Sequence, residues 1–164
     1  MPPAPAPRKL KGFMADMGAV LTVWEPDRAV IEMTVGDRHL NAIDVVHGGV
    51  IAALLDTAAA HAGIHCAVPG NVRQAMTVSM TVNLLGNLSA GTLVADARKL
   101  GGGKTIFVSS CDVTDGEGRL IAPGLPLRAG QSPPRRHCGK TVTARTNLGA
   151  VSRKSLTVCH RILC

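Results

Sequence analysis

Aromatic residues are scarce in this sequence, and acidic residues are absent from its last quarter. The 164 residues include two Phe, one Trp and no Tyr. Residues 123–164 carry eight Lys or Arg but no Asp, Glu or aromatic residue, whereas residues 1–122 carry ten Lys or Arg and all eleven acids. The formal net charge of +7 therefore belongs to the C-terminal segment. Because that segment has no aromatic platform for base stacking, it argues against a nucleic-acid partner.

Other absences exclude further classes of protein. No uninterrupted apolar stretch approaches the ~20 residues of a membrane span. The first seven residues lack the apolar segment of a signal peptide, and the five cysteines form no compact Cys-x-x-Cys pair. His61 and His65 are spaced to share a helix face, but no Glu follows His61 and no third ligand is visible. The sequence therefore predicts a cytoplasmic protein with reduced thiols, no membrane contact and no metal.

Composition divides the chain into three parts. Its length predicts one domain, and proline is concentrated in the first seven residues and again between Pro123 and Pro134. We interpret residues 1–9 as a disordered Pro/Ala leader, residues 10–122 as the folded domain and residues 123–164 as an atypical basic tail. An altered reading frame would explain the abrupt change after residue 122, and a native basic tail is the alternative. Two prolines soon after residue 122 are expected to shorten the final strand.

Hydrophobic periodicity predicts one long helix among several strands. The segment from Gly48 to about Ala67 is rich in Ala and Leu and apolar nearly all round, so other structure must wrap it. Alternation over residues 76–84 predicts a strand with one polar face, and residues 93–99 and 105–113 predict a hairpin. Helical spacing over residues 10–17 predicts a short amphipathic helix. The predicted class is α+β, with a curved antiparallel sheet around the central helix.

Asp56 is the carboxylate carried by that apolar helix. Burying an acid is unfavourable unless the acid is paired or used for chemistry. If the helix begins at Gly48, Asp56 lies about 12 Å along the axis from the unpaired N–H groups of the helix start, which can bind a negative oxygen. Acid and oxyanion donors would then come from two copies of the chain. The alternative is a structural carboxylate paired with a Lys or Arg.

Several short motifs recur in a characteristic order along residues 10–122. They are Asn41, His47-Gly48-Gly49, Asp56, Met76-Thr77-Val78-Ser79, Gly103-Lys104 and Gly118-Arg119-Leu120-Ile121-Ala122. This ordered set resembles the signature of hotdog-fold acyl-CoA thioesterases of the phenylacetyl-CoA (PaaI-like) family. The resemblance implies hydrolysis of an acyl-CoA, with coenzyme A entering as part of the substrate and no separate cofactor. It also implies a homodimer or a dimer of dimers.

The resemblance also implies roles for individual residues. Asp56 would act as general base or as nucleophile, and the Gly48 N–H would donate to the thioester oxygen with help from the helix dipole. Asn41 and His47 would position the substrate or the glycine loop, and Thr77 would assist the carboxylate. Each has a structural alternative: Asn41 could cap a loop, His47 could be a surface residue, and Thr77 could be an ordinary strand residue.

A second set of residues could contact the phosphates of coenzyme A. Lys104 and Gly103 lie in a glycine-rich turn that offers N–H groups and a charge to an anion, with Arg98 and Lys99 nearby. A purely solubilising role is the alternative.

Two other functions remain open: a non-catalytic acyl-CoA-binding hotdog protein and a hotdog enoyl-CoA hydratase or dehydratase. The second needs a different Asp–His spacing from that of Asp44 and His47. The sequence does not indicate which acyl group is bound.

Overall fold

The computed structural model describes residues 7–68, 72–103 and 105–131. Its elements in chain order are β1 (Arg8–Lys9), α1 (Phe13–Asp16), β2 (Val20–Glu25), β3 (Arg28–Thr34), a 3-10 helix (Asp37–His39), α2 (Gly48–Ile64), β4 (Gln74–Val82), β5 (Thr92–Gly102), β6 (Ile106–Asp115) and β7 (Leu120–Gln131). In the described part of the chain the strands form one seven-stranded sheet in the order β1-β2-β3-β5-β6-β7-β4. Every pair in it is antiparallel. The predicted α+β hotdog fold, a curved antiparallel sheet with one main helix, is confirmed.

The main helix, α2, begins at Gly48 as the sequence predicts and ends at Ile64, slightly before the predicted end. His47 caps its start, and His65 leaves the helical conformation at its end. Its buried side chains are Val50, Ile51, Leu54, Leu55, Ala58, Ala59 and Ala62. These residues recur at the i, i+3, i+4 spacing of one helix face, and that face packs on the sheet. Among the described residues, no helix is long and apolar enough to cross a membrane.

The hairpin predicted over residues 93–113 is present as β5 and β6. The inward residues of β5, Leu93, Ala95 and Ala97, are fully buried against the core. On β6, Cys111 and Val113 alternate with exposed or half-exposed neighbours in the same way. The period-two pattern thus separates the core face from the outer face.

The final strand is longer than the sequence suggested. β7 continues from Leu120 to Gln131 and lies between β6 and β4. Pro123 lies opposite Asp112 in the ladder with β6, and Pro126 lies opposite Met80 in the ladder with β4. The expectation that prolines would shorten this strand is wrong, because a proline lacks only its own N–H donor and the remaining backbone groups of β7 still pair. Residues 132–164 of the predicted tail lie outside the described residues.

The N-terminal region also departs from the prediction. Residues 8 and 9, assigned to the leader, form β1 and pair with Leu21 and Val20 of β2. The predicted amphipathic helix is reduced to the four residues of α1, in which Met14 is buried and Phe13 is exposed. Residues 1–6 of the leader lie outside the described part of the chain.

Candidate active site

Asp56 lies midway along α2, with its side chain 36% exposed. Its Oδ1 atom accepts hydrogen bonds from the Thr77 hydroxyl at 2.7 Å and from Nη2 of Arg128 at 2.8 Å. Within the described ranges no donor lies at hydrogen-bond distance from Oδ2. One carboxylate oxygen is therefore anchored by the protein, and the other is left for a molecule outside it.

Arg128 is the main residue of this site that the sequence interpretation did not identify. It lies on β7 and is 2% exposed, and its Nη2 also donates to the backbone carbonyl of Asp56. Burial lowers the pKa of the Arg128 guanidinium, and the Asp56 carboxylate opposes that shift. An arginine so placed remains charged at neutral pH. The structural alternative named for Asp56, a carboxylate paired with an arginine, is thus present in the molecule.

A β-bulge brings Thr77 and Arg128 onto the face of the sheet that meets α2. Thr77 pairs with Arg128 in the β4–β7 ladder, and the next pair is Ser79 with Leu127, so one extra residue is inserted in β4. Such an insertion reverses the alternation of side chains along the strand. Thr77 therefore faces the helix. Strict alternation along β4 would place Thr77 on the other face of the strand from Met80, whose side chain also packs against the core.

The start of α2 is organised around His47. Its Nδ1 atom accepts a hydrogen bond at 2.9 Å from the N–H of Gly49. His47 is otherwise exposed, and its role in positioning the substrate or the glycine loop stays a prediction. The N–H of Gly48 stands at the first helical position, where no acceptor exists within the helix. This end of α2 offers N–H groups and the positive end of the helix dipole to an anion.

Asn41 lies in the loop that leads to the helix start. Its Oδ1 atom accepts from the N–H groups of Ile43 at 3.0 Å and Val45 at 3.3 Å. Its own N–H donates to the Val45 carbonyl at 2.8 Å. These contacts fix the loop and agree with the loop-capping alternative, while a positioning role through the side-chain nitrogen stays a prediction.

The predicted catalytic residues thus form two groups, which lie at different heights along α2. Asp56 and its donors lie near the middle of the helix, and the His47–Gly48 region lies at its start. Eight residues of helix separate the groups, which corresponds to roughly 12 Å. One chain does not bring both groups to the same carbonyl.

The residues predicted to contact coenzyme A do not form one cluster. Lys104 lies outside the described residues, and the N–H of Gly103 donates to the Ile106 carbonyl. Arg98 and Lys99 are successive residues of β5 and point to opposite faces of the sheet. The Arg98 side chain is 60% exposed, and its Nη2 atom lies 3.9 Å from Oδ2 of Asp96. The Nζ atom of Lys99 lies 3.5 Å from Oδ1 of Asp27.

His61 and His65 serve as packing residues in the described structure. Both rings meet the Trp24 ring edge-on, with centroids 5.7 and 5.6 Å away. The indole N–H of Trp24 donates to the His61 carbonyl at 2.9 Å. Burial is the largest cause that lowers the pKa of His61, and the nearby Arg128 charge adds to it.

Comparisons with known proteins identify the family of this chain. Residues 44–122 match the family model described as the Thioesterase superfamily. Acyl-coenzyme A thioesterase 13 from Homo sapiens is 32% identical over 119 residues, which cover 71% of this chain and 83% of the relative. The protein of the same name from Pongo abelii matches with the same values.

Solved structures give the same fold. A thioesterase from Haemophilus influenzae superposes with a TM-score of 0.67 at 23% identity, covering 76% of this chain and 86% of that one. The E. coli PaaI protein from the phenylacetic acid degradation operon superposes with a TM-score of 0.62 at 26% identity, covering 71% and 81%. The fold and these comparisons together define a hotdog protein of the thioesterase class. At the identity and coverage of its relatives, the chain belongs to the thioesterase superfamily, and within it to the PaaI-like acyl-CoA thioesterases.

Proposed function

We propose that this protein hydrolyses an acyl-CoA thioester to the free acid and coenzyme A, with Asp56 as the base or nucleophile. The observation that carries the proposal is the half-exposed carboxylate of Asp56, anchored through Oδ1 by Thr77 and Arg128 on the main helix. An acid in an apolar helix with one oxygen left free has the arrangement that general-base or nucleophilic catalysis needs. The relatives named as acyl-coenzyme A thioesterases support the same substrate class.

In the general-base route, water adds to the thioester carbonyl carbon while Oδ2 of Asp56 takes the water proton. The carbonyl oxygen gains negative charge, and the N–H of Gly48 donates to it. Collapse of this intermediate breaks the C–S bond, and the coenzyme A thiolate leaves and takes up the proton. In the nucleophilic route Oδ2 of Asp56 attacks the carbonyl carbon, the C–S bond breaks, and the coenzyme A thiolate leaves a mixed anhydride behind. Water then hydrolyses the anhydride to the free acid and the Asp56 carboxylate, and the thiolate takes up the proton that is released.

A dimeric site follows from the distance between the two groups of residues on α2. The roughly 12 Å from Gly48 to Asp56 exceeds the reach of one thioester group, so we assign the oxyanion donor and the base to different copies. β4 supports this assembly: its one neighbour among the described strands is β7, and Met76 on it is 63% exposed. An open strand edge is a template for pairing with another chain. Two copies that pair there form the minimal unit, and a dimer of dimers would repeat the same sites.

Contacts to the coenzyme A phosphates stay a proposal for the β5–β6 turn. Arg98 offers the more exposed cation, since its side chain is 60% exposed and that of Lys99 is 23% exposed. Lys104 and Gly103 keep the role that the resemblance implies.

The test is thiol release from a panel of acyl-CoAs by the wild-type protein and by Asp56→Asn. Removal of the base or nucleophile is expected to lower kcat/KM by about 10²-fold or more. Asp112→Asn is the matched control, because Asp112 is an exposed carboxylate on β6 and is expected to leave turnover unchanged. Circular dichroism and the oligomeric state of each variant check that the fold is retained.

Binding of a non-hydrolysable acyl-CoA thioether separates the enzyme from a non-catalytic binding protein. An enzyme that depends on Asp56 loses turnover in Asp56→Asn while the thioether still binds. Binding without thiol release by the wild type, on any acyl-CoA of the panel, would identify a binding protein instead. Thiol release unaffected by Asp56→Asn would reject Asp56 as the catalytic residue.

A further inference from the structure

We infer that Arg128 is a positioning residue for Asp56, which holds one carboxylate oxygen so that the other faces the substrate. The inference deepens the proposed function and rests on it. Its basis is the buried guanidinium on β7, which contacts both the side chain and the backbone carbonyl of Asp56.

The contacts of Arg128 fix the orientation of the carboxylate. Its Nη2 atom and the Thr77 hydroxyl both donate to Oδ1 of Asp56, at 2.8 and 2.7 Å. Two donors on one oxygen hold the rotation about the Cβ–Cγ bond, and a charge-assisted hydrogen bond is roughly twice as strong as a neutral one. Oδ2 accepts no hydrogen bond from the described residues and is the oxygen that we assign to the substrate side.

The placement of Arg128 indicates a specific role in the site. A surface arginine could serve solubility, but Arg128 is 2% exposed. Burying a guanidinium is unfavourable unless a paired charge compensates. Among described residues Asp56 is the carboxylate within salt-bridge distance of Arg128. The buried cation of Arg128 thus lies in contact with the candidate base, Asp56.

Arg128 also places a positive charge beside the carboxylate that the reaction needs, with Nη2 2.8 Å from Oδ1 of Asp56. The other titratable groups near Arg128 are His61 on α2 and Cys111 on β6. Burial raises the pKa of the Cys111 thiol, so this group stays neutral. His61 is thus the second group whose protonation must be followed in the experiment.

The experiment measures kcat, KM and their pH dependence for Arg128→Gln and Arg128→Lys. Arg128→Gln is expected to lower kcat by about 10- to 100-fold with a smaller change in KM, because the substrate contact remains while the base loses its orientation. The acid limb of the pH–rate profile is recorded for every variant. Arg128→Lys keeps the charge and is expected to restore part of kcat.

Two controls separate positioning from general stability. Arg28→Gln removes another arginine that pairs with an aspartate, Asp96 on the outer face at 3.0 Å, and is expected to leave kcat and its pH profile unchanged. His61→Gln is expected to leave the acid limb in place. In the Asp56→Asn background, Arg128→Gln is expected to cause no further loss of the residual rate, since the two residues act as one unit.

The outcomes distinguish this inference from the proposed function. If Asp56→Asn abolishes turnover but both Arg128 variants retain the wild-type kcat and pH profile, the positioning role is wrong and the proposed function stands. If Arg128→Gln fails to fold, Arg128→Lys carries the test. A loss of kcat in Arg128→Lys that disappears in the Asp56→Asn background supports the role, and wild-type kcat or a loss that adds to that of Asp56→Asn overturns it. If the wild type releases no thiol from any acyl-CoA, both are overturned.

Discussion

Replacement of Gly63 by alanine tests the packing between the main helix and the sheet. Gly63 lies near the C-terminal end of α2, and a methyl group built on it would overlap the Cε2 and Cζ atoms of Phe107 on β6. Carbon atoms in contact are normally ~3.5–4.0 Å apart. Phe107 is 4% exposed, so its ring has little free space into which it can move. We expect Gly63→Ala to be destabilising although alanine is the better helix former.

The expected magnitude follows from two opposing effects. Alanine in a helix interior is favoured over glycine by ~0.8–1.0 kcal/mol. Overpacking a close-packed core typically costs about 1–3 kcal/mol and here requires displacement of an aromatic ring. The net loss is therefore expected to be up to about 2 kcal/mol, which corresponds to a fall in Tm of up to roughly 10 °C for a domain of this size.

Thermal unfolding followed by circular dichroism measures the effect. Gly36→Ala is the matched control, because Gly36 has an ordinary extended backbone and open space around its Cα, and it is expected to change Tm little. Phe107→Leu should relieve the overlap, so the double variant with Gly63→Ala is expected to be at least as stable as Phe107→Leu alone. A higher Tm for Gly63→Ala would show that the ring does not cover Gly63 and would refute the packing described for this end of α2.

Two further predictions concern pH and the C-terminal strand. Because burial lowers the pKa of His61 below its ordinary 6.5, the unfolded chain binds a proton at higher pH than the folded one. The stability that His61 contributes is therefore present above about pH 6.5 and falls as the pH drops through the lowered value, and urea unfolding at several pH values should show a shallower loss for His61→Gln. Truncation after residue 122 removes most of β7 from between β6 and β4, so we expect it to abolish cooperative unfolding, whereas truncation after residue 131 retains the strand. A stable, cooperative protein ending at residue 122 would contradict the strand assignment.

The sequence predicted those parts of the fold that depend on local periodicity. Hydrophobic spacing over short windows predicted the start of the helix at Gly48 and the β5–β6 hairpin. It also predicted a strand over residues 76–84, and the structure places that strand two residues earlier, as β4 over Gln74–Val82. Asp56 was also recognisable locally, because an acid within an apolar helical run requires an explanation. Its contact with Thr77 was predicted from the family resemblance, and the hydrogen bond between them is present.

The remainder of the site depends on pairing between distant segments. Thr77 and Arg128 meet because a bulge in β4 shifts the register against β7, and no short window of sequence contains that shift. Prolines after residue 122 suggested the end of the sheet, so the segment that carries Arg128 was assigned to the tail. An acid in an apolar helix indicates that an arginine or lysine could pair with it, but the sequence does not indicate which one.

Arg128 and Asp56 depend on each other, and this dependence affects how the activity of either variant is interpreted. The match to the Thioesterase superfamily ends at residue 122, whereas the residue that anchors the candidate base stands at position 128. A change of Asp56 leaves a guanidinium buried without its counter-charge, which is more costly than the pair itself is favourable. Asp56→Asn is therefore expected to lose stability as well as turnover. The rate of Asp56→Asn has to be measured well below the midpoint temperature of its unfolding. At such a temperature the loss of thiol release results from the missing carboxylate and not from unfolding of the protein.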